Sequence, residues 1–324
     1  MVHAIRIHEY GGPEALRWEE VAVAAPGAGE VRLRHTAIGL NYIDTYHRTG
    51  LYPVGKLPAV IGMEGAGVVT AVGEGVSGLA PGDRVAYANP IGAYAEERVI
   101  PADRVVSIPN GVEDKTAAAM MLQGMTAEYL LQRTYKVVPG TVILFHAAAG
   151  GVGLIACQWA RHLGATVIGT VGSEEKARLA TDAGCQHVIN YRTENFVERV
   201  REITSGKGCD VVYDGIGRDT YPGSLDCLKP FGLWVSFGNA SGKIDNFDLG
   251  LLAAKGSLYA TRPTLFTYTA KRADLADSAA KLFAVVARGI VRIGVNQTYP
   301  LKNAADAHRD LEGRRTTGST VLVP

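Results

Sequence analysis

The sequence contains little cysteine, and the cysteines it has form no metal-binding pattern. Four of the 324 residues are cysteine, namely Cys157, Cys185, Cys209 and Cys227. They form no C-x-x-C pair, and no histidine stands at the spacing typical of a zinc site. This distribution argues against a zinc ribbon or a disulfide framework, so we expect the four side chains to be small buried hydrophobes.

A strong charge of one sign and long hydrophobic runs are also missing. The formal net charge is +1, with 20% charged and 47% hydrophobic residues, so bulk electrostatics does not predict binding to nucleic acid or membranes. No apolar run approaches the roughly 18 residues of a membrane span. The opening sequence MVHAIRIHEYGGPEAL alternates polar and apolar residues, as expected of a first strand rather than a signal peptide. We therefore expect a cytoplasmic protein.

The length of the chain predicts two domains. Up to about residue 122, short strands such as VRLRHTAIG and GMEGAGVVTAVG are broken by glycine, proline and aspartate, which indicates an antiparallel, barrel-like region. From about residue 124, apolar strands alternate with helical segments, as in TVILFHAA followed by VGLIACQWARHLG. This α/β alternation predicts a doubly wound parallel sheet.

The last 60 or so residues are too few to build a core of their own. They contain a long amphipathic segment, a short helix in LKNAADAHRDLEG and a final strand in STVLVP. We predict that they complete the first region, so that the parallel-sheet domain is an insertion. The predicted domains are residues 1–123 and 264–324 for the discontinuous domain, and 124–263 for the inserted one.

A small-residue loop links an apolar strand to a helix at residues 148–153. It fits the G-x-G-x-x-G pattern if Ala148 replaces the first glycine. Gly150 would let the backbone approach a pyrophosphate, and Gly153 would let the helix pack against the strand. The helix that follows through Gly151 and Val152 directs its N–H groups and positive dipole end towards phosphates. The loop therefore predicts a dinucleotide site.

The end of the next strand indicates which nicotinamide cofactor is preferred. An NAD site usually places an acidic residue there to bind the ribose 2′-hydroxyl. This sequence has Gly172, Ser173 and Lys176 instead, which leave space for a 2′-phosphate, offer it a hydrogen bond and neutralise its charge. The pattern favours NADPH. The same residues also fit an ordinary helix N-terminus with Ser173 as N-cap.

Further candidate contacts follow the later strands of the predicted sheet. Ligands of doubly wound sheets bind outside the carboxyl ends of the strands. Tyr191 follows one such strand, Ile216 lies between two glycines after another, and Phe237 precedes Gly238 and Asn239 after a third. These positions favour cofactor contacts.

Several motifs together resemble those of a known family. The segment GMEGAG at 62–67, GDRV at 82–85 and AAAGGVGLIACQWAR at 147–161 resemble the zinc-free quinone oxidoreductase branch of the medium-chain dehydrogenase/reductase superfamily, which is related to ζ-crystallin. The resemblance is strongest to bacterial NADPH:quinone oxidoreductases, and it spans the whole chain. It implies a GroES-like antiparallel β-barrel catalytic domain, a Rossmann domain that binds NADPH, and a homodimer. The segment from GSLYATRP to FTYT is the strand region that we expect to pair between subunits.

The resemblance also implies a set of cofactor contacts. Of these, Arg314 is independently reasonable, because a guanidinium can bind the adenosine phosphate, although Arg315 could take the same role. The implied contacts towards the nicotinamide are Asn41, Tyr42, Ile43, Asp44 and Thr45. The other implied contacts are Tyr129, Gly151, Val152, Gly172, Ser173, Lys176, Tyr191, Ile216, Gly238, Asn239, Ala240, Ser241, Pro263, Thr264, Leu265, Phe266 and Arg314, to which the motif adds Gly150 and the strand end adds Phe237.

The sequence departs from the zinc-dependent members of the superfamily at the metal positions. Those members have cysteine where this chain has Asn41, histidine where it has Met63, and a third thiolate near Leu122 and Gln123. None of these residues is a good zinc ligand, so we predict no metal. Without a Lewis acid, alcohol dehydrogenation is disfavoured.

The remaining chemistry is the reduction of an acceptor that is already electrophilic. Such a reaction needs hydrogen-bond donors for the oxygen on which charge develops. Candidate donors are Asn41 and Tyr46 on the loop LNYIDTYHR, followed by Tyr52 and Arg262. His47 is interpreted as a surface or packing residue, and an asparagine at this place also fits a helix cap.

Three functions are compatible with these residues. We predict NADPH-dependent reduction of a quinone by hydride or electron transfer. An alternative is an enone or 2-haloacrylate-type reductase, in which Tyr46 or Tyr52 would protonate carbon. An alternative of another class is a non-catalytic NADPH-binding protein that binds RNA or has a structural role, which the near-neutral charge counts against.

Overall fold

Sixteen strands and eleven α-helices make up the computed structural model, which describes all residues 1–324. The strands are β1 (Val2–Ile7), β2 (Arg17–Val21), β3 (Glu30–Leu40), β4 (Ala59–Val60), β5 (Glu64–Val72), β6 (Arg84–Ala88), β7 (Glu97–Pro101), β8 (Val106–Ser107), β9 (Val142–Phe145), β10 (Thr166–Val171), β11 (His187–Asn190), β12 (Cys209–Asp214), β13 (Leu228–Ser236), β14 (Tyr259–Thr261), β15 (Val295–Pro300) and β16 (Ser319–Val323). The helices are α1 (Tyr42–Thr49), α2 (Asp114–Ala118), α3 (Met121–Tyr129), α4 (Gly151–His162), α5 (Glu174–Asp182), α6 (Phe196–Ile203), α7 (Gly223–Asp226), α8 (Gly250–Ala254), α9 (Leu265–Tyr268), α10 (Arg272–Ala287) and α11 (Ala304–Glu312).

The chain divides into two compact units. The first comprises Met1–Met125, Thr269–Ala287 and Ile293–Pro324, and the second comprises Thr126–Tyr268 and Arg288–Arg292. The second unit runs to Tyr268 rather than to the predicted residue 263, since the Tyr268 ring stacks on Tyr129 with centroids 4.4 Å apart. Arg292 belongs to it because its backbone N–H and carbonyl both bond the Gln158 side chain, at 2.9 and 3.1 Å.

The first unit is built on a seven-stranded sheet. The strands follow the order β15-β16-β3-β5-β6-β8, and β7 also pairs with β3. All of these pairs are antiparallel except β15 with β16. Strand β15 was not predicted, because VNQTYP has few apolar residues. A smaller antiparallel sheet, β2-β1-β4, packs its apolar side chains into the same core, for example Ile5 and Ile7 beside Leu33 and Val69.

The second unit contains a six-stranded, entirely parallel sheet in the order β11-β10-β9-β12-β13-β14. Leu144, Ile168 and Val212 from its central strands are fully buried, as the apolar runs in the sequence predicted. The order is that of a doubly wound dinucleotide-binding sheet, which confirms the predicted fold class. Because β9 lies between β10 and β12, the loop after β9 is at the topological switch point, where such sheets bind ligands.

Two segments differ from their sequence-based interpretation. LNYIDTYHR, described as a loop, contains the eight-residue helix α1, and Asn41 is its N-cap residue. The FTYT segment, expected to be strand, lies mostly in helix α9, and only Tyr259–Thr261 of the preceding stretch is a strand. Pro263 explains the break, since proline has no N–H to continue a ladder. None of the helices combines the length and hydrophobicity needed to cross a bilayer.

Candidate functional site

The loop after β9 leaves a helix N-terminus that no side chain caps. Gly150 has an extended backbone conformation and stands at the N-cap of α4, which begins at Gly151. The first N–H groups of a helix have no partner within the helix. The second unit therefore directs several backbone donors and the positive end of the helix dipole to one place, as an anion site requires.

The glycines of this loop serve two different purposes. A Cβ on Gly153 would collide with the carbonyl oxygens of Ala147 and Ala148, so the close packing of α4 on β9 requires glycine there. A Cβ on Gly150 would meet only Ala147, with its carbonyl oxygen at 3.2 Å, and otherwise open space. That open space beside bare N–H groups is the cradle that a pyrophosphate would fill.

Three predicted cofactor contacts, Gly172, Ser173 and Lys176, follow the end of β10. Ser173 is the N-cap of α5, and its Oγ accepts the Lys176 N–H at 3.3 Å. The hydroxyl hydrogen of Ser173 can still be donated to a ligand. Gly172 approaches the Tyr191 ring so closely that a Cβ would collide with the phenol oxygen. The helix-cap role and a phosphate contact are therefore compatible in Ser173.

A buried carboxylate at the end of β12 organises the next loop. Asp214 accepts hydrogen bonds from the N–H groups of Ile216 and Gly217 at 2.9 and 3.1 Å, and from the Thr220 and Ser224 hydroxyls. Burial alone would raise its pKa, but the nearby His146 and these donors lower the pKa of Asp214 below its ordinary value. The loop is thus held in one conformation by an ionised side chain.

The loop after β13 is bonded to the loop after β12. Ala240 N–H donates to the Gly215 carbonyl at 3.2 Å, and Ser241 N–H donates to the Ile216 carbonyl at 2.9 Å. The Phe237 ring packs 5.9 Å from that of Phe145, at the end of β9. The structure therefore brings the predicted residues 216 and 237–241 together at one end of the parallel sheet.

The remaining predicted residues of the second unit lie at several places. The Tyr129 ring is 2% exposed and stacks on Tyr268. Pro263 and Thr264 precede α9, which contains Leu265 and Phe266. Arg262 donates to the carbonyl oxygens of Ser236 and Gly238, at 2.8 and 3.3 Å. These bonds fix the guanidinium against the end of β13.

The first unit contains a chain of buried polar side chains, which we call the amide cluster (Asn41, Glu64, Gln123 and Ser319). Asn41 Nδ2 donates to Glu64 Oε2 at 2.7 Å, and Gln123 Nε2 donates to Asn41 Oδ1 at 3.1 Å. Ser319 Oγ is 2.7 Å from Gln123 Oε1 and 2.9 Å from the Ala119 carbonyl. The cluster joins the ends of β3, β5, α3 and β16.

Glu64 is the ionisable member of the amide cluster, and it is fully buried. Its second oxygen accepts the Leu122 N–H at 2.8 Å. Burial raises the pKa of Glu64 from 4.5 to about 8, against the opposing effect of its hydrogen bonds. The carboxyl group fits because residue 39 is glycine, since a Cβ there would collide with Glu64 Oε2 and with the Ala118 carbonyl.

A second buried chain leads away from the backbone of Asn41. Asp44 accepts the Asn41 N–H at 2.9 Å and the Tyr94 hydroxyl at 3.0 Å. His308 bonds the same hydroxyl at 3.0 Å, and Arg48 lies 3.0 Å from its other ring nitrogen. Burial raises the pKa of Asp44 to about 7 and, together with Arg48, lowers that of His308 to about 3.

The tyrosines of α1 pack against one another. The Tyr46 ring lies 5.2 Å from Tyr52 in an edge arrangement and 6.5 Å from Tyr42, whose hydroxyl donates to the Leu311 carbonyl at 3.1 Å. Thr45 bonds the Tyr42 carbonyl. His47 is buried against Tyr52, and burial lowers its pKa to about 4. His47 is therefore a neutral packing residue rather than a surface one.

The comparisons with known proteins cover both units. Residues 27–110 match the alcohol dehydrogenase GroES-like domain, and residues 151–277 match the zinc-binding dehydrogenase family. A quinone oxidoreductase of Pseudomonas aeruginosa is 54% identical with all of both chains covered, and a 2-haloacrylate reductase of Burkholderia sp is 51% identical with 100% of this chain and 99% of the relative covered. The chain belongs to the quinone oxidoreductase family.

A solved structure supports the same assignment. Escherichia coli quinone oxidoreductase complexed with NADPH is 50% identical, with a TM-score of 0.98 and coverage of 99% of this chain and 100% of that one. The predicted combination of a GroES-like and a Rossmann domain is confirmed for this quinone oxidoreductase family member.

The residues at the metal positions do not fit zinc, although one matched family is described as zinc-binding. Asn41 and Gln123 use their amide groups to bond each other, Glu64 and Ser319, and Met63 offers only a thioether. No group of three histidine, cysteine, aspartate or glutamate side chains that could hold a metal occurs in the structure. This member of the quinone oxidoreductase family has hydrogen bonds where zinc-dependent relatives have ligands.

Sequence reasoning did not assign a role to Glu64 or Asp214. Both are acidic residues at the edge of a glycine-rich segment, in GMEGAG and YDGIG, and both are fully buried. An acidic residue enclosed by small and apolar residues is the signal that could have identified them, because a buried charge needs dedicated donors. The partners of Glu64, however, come from distant parts of the chain, whereas most donors to Asp214 lie within ten residues of it.

Glu64 is expected to make the stability of this quinone oxidoreductase family member depend on pH. Its folded-state pKa of about 8 lies above the ordinary 4.5, so its contribution is complete below about pH 4.5 and is lost as the pH rises through about 8. In urea unfolding at pH 5, the free energy of unfolding of Glu64→Gln should equal that of the wild type. At pH 9 it should exceed that of the wild type by about 1 kcal/mol or more.

The exposed Glu175→Gln provides the matched control, and it should keep the pH dependence of the wild type. An unchanged pH dependence in Glu64→Gln would show that Glu64 ionises normally in the folded protein.

Proposed function

We propose that this protein catalyses the NADPH-dependent reduction of quinones without a metal. The observation that carries the proposal is the pairing, in one chain, of an uncapped helix N-terminus behind Gly150 with an amide cluster in place of zinc ligands. The first binds a dinucleotide phosphate, and the second offers neutral hydrogen-bond donors rather than a Lewis acid. The names of the similar proteins, quinone oxidoreductase among them, support this choice.

The residues of the second unit fit NADPH. The pyrophosphate would be held by the N–H groups of Gly151 and Val152, and the 2′-phosphate by the Ser173 hydroxyl and the Lys176 ammonium. For the adenosine phosphate we propose Arg314, as the family resemblance implies, with Arg315, which pairs with Asp310 at 2.6 Å, as the alternative. We also propose that the loops at 216 and 237–241 contact the cofactor.

The bound cofactor supplies a hydride, and the protein stabilises the charge that develops on the acceptor oxygen. Asn41 uses one amide hydrogen for Glu64, which leaves its second N–H for that oxygen. The hydroxyls of Tyr46 and Tyr52 are further candidate donors, and residues 42–45 are proposed cofactor neighbours. A quinone that accepts hydride needs one proton to become a hydroquinone, and water can provide it.

The similarity to a 2-haloacrylate reductase supports a second candidate function. Reduction of a carbon-carbon double bond requires a proton on carbon, and a positioned side chain accelerates such a transfer by about 100-fold or more. Tyr46 and Tyr52 are the candidate donors, since their rings pack together on α1 and the segment after it. The two functions therefore differ in their need for a tyrosine hydroxyl.

A panel of acceptors separates the two functions. The rates with 1,4-benzoquinone and an acyclic enone are measured at saturating NADPH for the wild type, Tyr46→Phe and Tyr52→Phe. We expect faster turnover of benzoquinone, and less than about 5-fold loss of that activity in both variants, because water can serve as the proton source. Faster turnover of the enone, with about 100-fold loss in one variant, would favour the second function.

The preference for NADPH over NADH should depend on Lys176. In Lys176→Ala we expect the KM for NADPH to rise about 10-fold, because a charge-assisted bond to the 2′-phosphate is lost. The KM for NADH should stay within about 2-fold, since NADH has no such phosphate. The exposed Lys207→Ala in the same unit is the control. An equal rise for both cofactors would contradict this account of specificity.

We further propose a homodimer formed through the edge of the parallel sheet. Strand β14 is the edge strand of that sheet; its Tyr259 is 62% exposed, and Phe231 of the neighbouring β13 is 68% exposed. An exposed edge with aromatic side chains is suited to pairing with a second copy about a two-fold axis.

Tyr259→Asp should convert the dimer to a monomer in sedimentation velocity, because a charge would be buried at the contact. Val138→Asp, which replaces an exposed apolar residue elsewhere in the unit, should not. A wild-type protein that sediments as a monomer would contradict the proposed dimer.

A further inference from the structure

When Glu64 is ionised, the amide cluster has one hydrogen fewer than the number of acceptors within hydrogen-bond distance. Ser319 has a single hydroxyl hydrogen, but its Oγ lies within hydrogen-bond distance of two acceptors, Gln123 Oε1 and the Ala119 carbonyl. Gln123 and Asn41 are both carboxamides, whose nitrogen and oxygen exchange places by a half-turn of the group. The same four side chains can therefore bond in a second arrangement.

That second arrangement requires a proton on Glu64. The Glu64 Oε2–H would donate to Asn41 Oδ1, and the turned Asn41 amide would donate to Gln123 Oε1. The turned Gln123 amide would donate to Ser319 Oγ, and the Ser319 hydroxyl would donate to the Ala119 carbonyl. Glu64 Oε1 would keep the Leu122 N–H, at 2.8 Å, in both arrangements. Each acceptor of the chain then has its own hydrogen.

We propose that Glu64 is a positioning residue that, by gaining or losing one proton, turns the Asn41 carboxamide and so exchanges its donor and acceptor ends. The end of Asn41 beside Glu64 is a donor when Glu64 is ionised and an acceptor when Glu64 is protonated. The inference rests on the proposed function where it concerns the reaction, because Asn41 is proposed there to donate to the acceptor oxygen.

The surroundings of Glu64 allow both protonation states near neutral pH. Burial raises its pKa to about 8, and the Asp44 carboxylate of α1 adds to that rise. Of the neighbouring strands, β6 contributes Tyr87, whose own pKa is raised, and β3 contributes His35, whose pKa is lowered to about 3, so both are uncharged. Arg98 of β7 is directed to the Tyr87 hydroxyl, at 3.3 Å.

The remaining charges near the start of β5 are engaged elsewhere. Asp114 of α2 pairs with Arg84, and Asp44 is bonded to Tyr94, which leads to His308 and to the Arg48–Glu312 ion pair. A titration of Asn41 near pH 8 therefore has two candidate sources, Glu64 and Asp44, which substitution of each residue in turn separates.

The test follows the side-chain amides of Asn41 and Gln123 by nuclear magnetic resonance, in protein without cofactor or substrate and with 15N in its asparagine and glutamine amides. Between pH 6 and 10 we expect both amides to shift with one shared midpoint near pH 8. In Glu64→Gln neither should shift. The oxygen of the introduced carboxamide must accept the Leu122 N–H, so its NH2 would face Asn41 and hold the Asn41 amide turned at every pH.

Asp44→Asn is the matched control. It should keep the shared shift but move its midpoint to lower pH, because the Asp44 charge no longer opposes ionisation of Glu64. A shift that survives in Glu64→Gln, or that disappears in Asp44→Asn, would overturn the proposal. So would separate midpoints for Asn41 and Gln123 in the wild type, a result that needs no variant to fold.

The catalytic consequence is measured separately. In the wild type, kcat/KM for 1,4-benzoquinone should change with pH, with the same midpoint as the amide shifts. In Glu64→Gln, kcat/KM should keep the low-pH value of the wild type at every pH. If the amides titrate but kcat/KM does not vary with pH, the positioning role is overturned. An absence of quinone turnover would instead contradict the proposed function, and the amide titration in the free protein would still decide whether the carboxamide turns.

Discussion

Burying one carboxyl group imposes more on the first unit than any other single feature. A carboxyl group removed from water must be given donors, and Glu64 receives them from Asn41 and from the backbone of Leu122. These donors come from the end of β3 and the start of α3, and the cluster extends to Ser319 at the start of β16. The space for the group depends in turn on the absence of a side chain at Gly39. Four chain segments are thereby held at fixed positions around Asn41.

The two units prepare their functional groups by different means. In the second unit the backbone provides most of the proposed site, because the first N–H groups of α4 and the close packing at Gly153 need no particular side chain. In the first unit the proposed hydrogen-bond donor is a carboxamide, which has to be oriented by neighbours. This difference explains why glycines dominate one site and why asparagine, glutamine and serine dominate the other.

The same difference decides what could be predicted from the sequence. The parallel sheet and the glycine-rich loop after β9 were predictable, because apolar strands and the Gly150-to-Gly153 spacing are local patterns. The amide cluster was not, since Gln123 and Ser319 lie 82 and 278 positions from Asn41 along the chain and share no local pattern. Strand β15 could not be predicted because it is largely polar, and FTYT does not form the expected strand because Pro263 interrupts the segment before it.

The hydrogen bonds of Asn41 also bear on how readily a site without a metal could become a metal site. A cysteine at this position would remove both the donor to Glu64 Oε2 and the acceptor for Gln123, which would leave a buried carboxyl oxygen and a buried amide without these partners. A metal introduced by one substitution at a time would therefore pass through destabilised intermediates. Changing Asn41 alone towards a metal ligand is thus opposed by the stability of the fold, whatever its effect on catalysis.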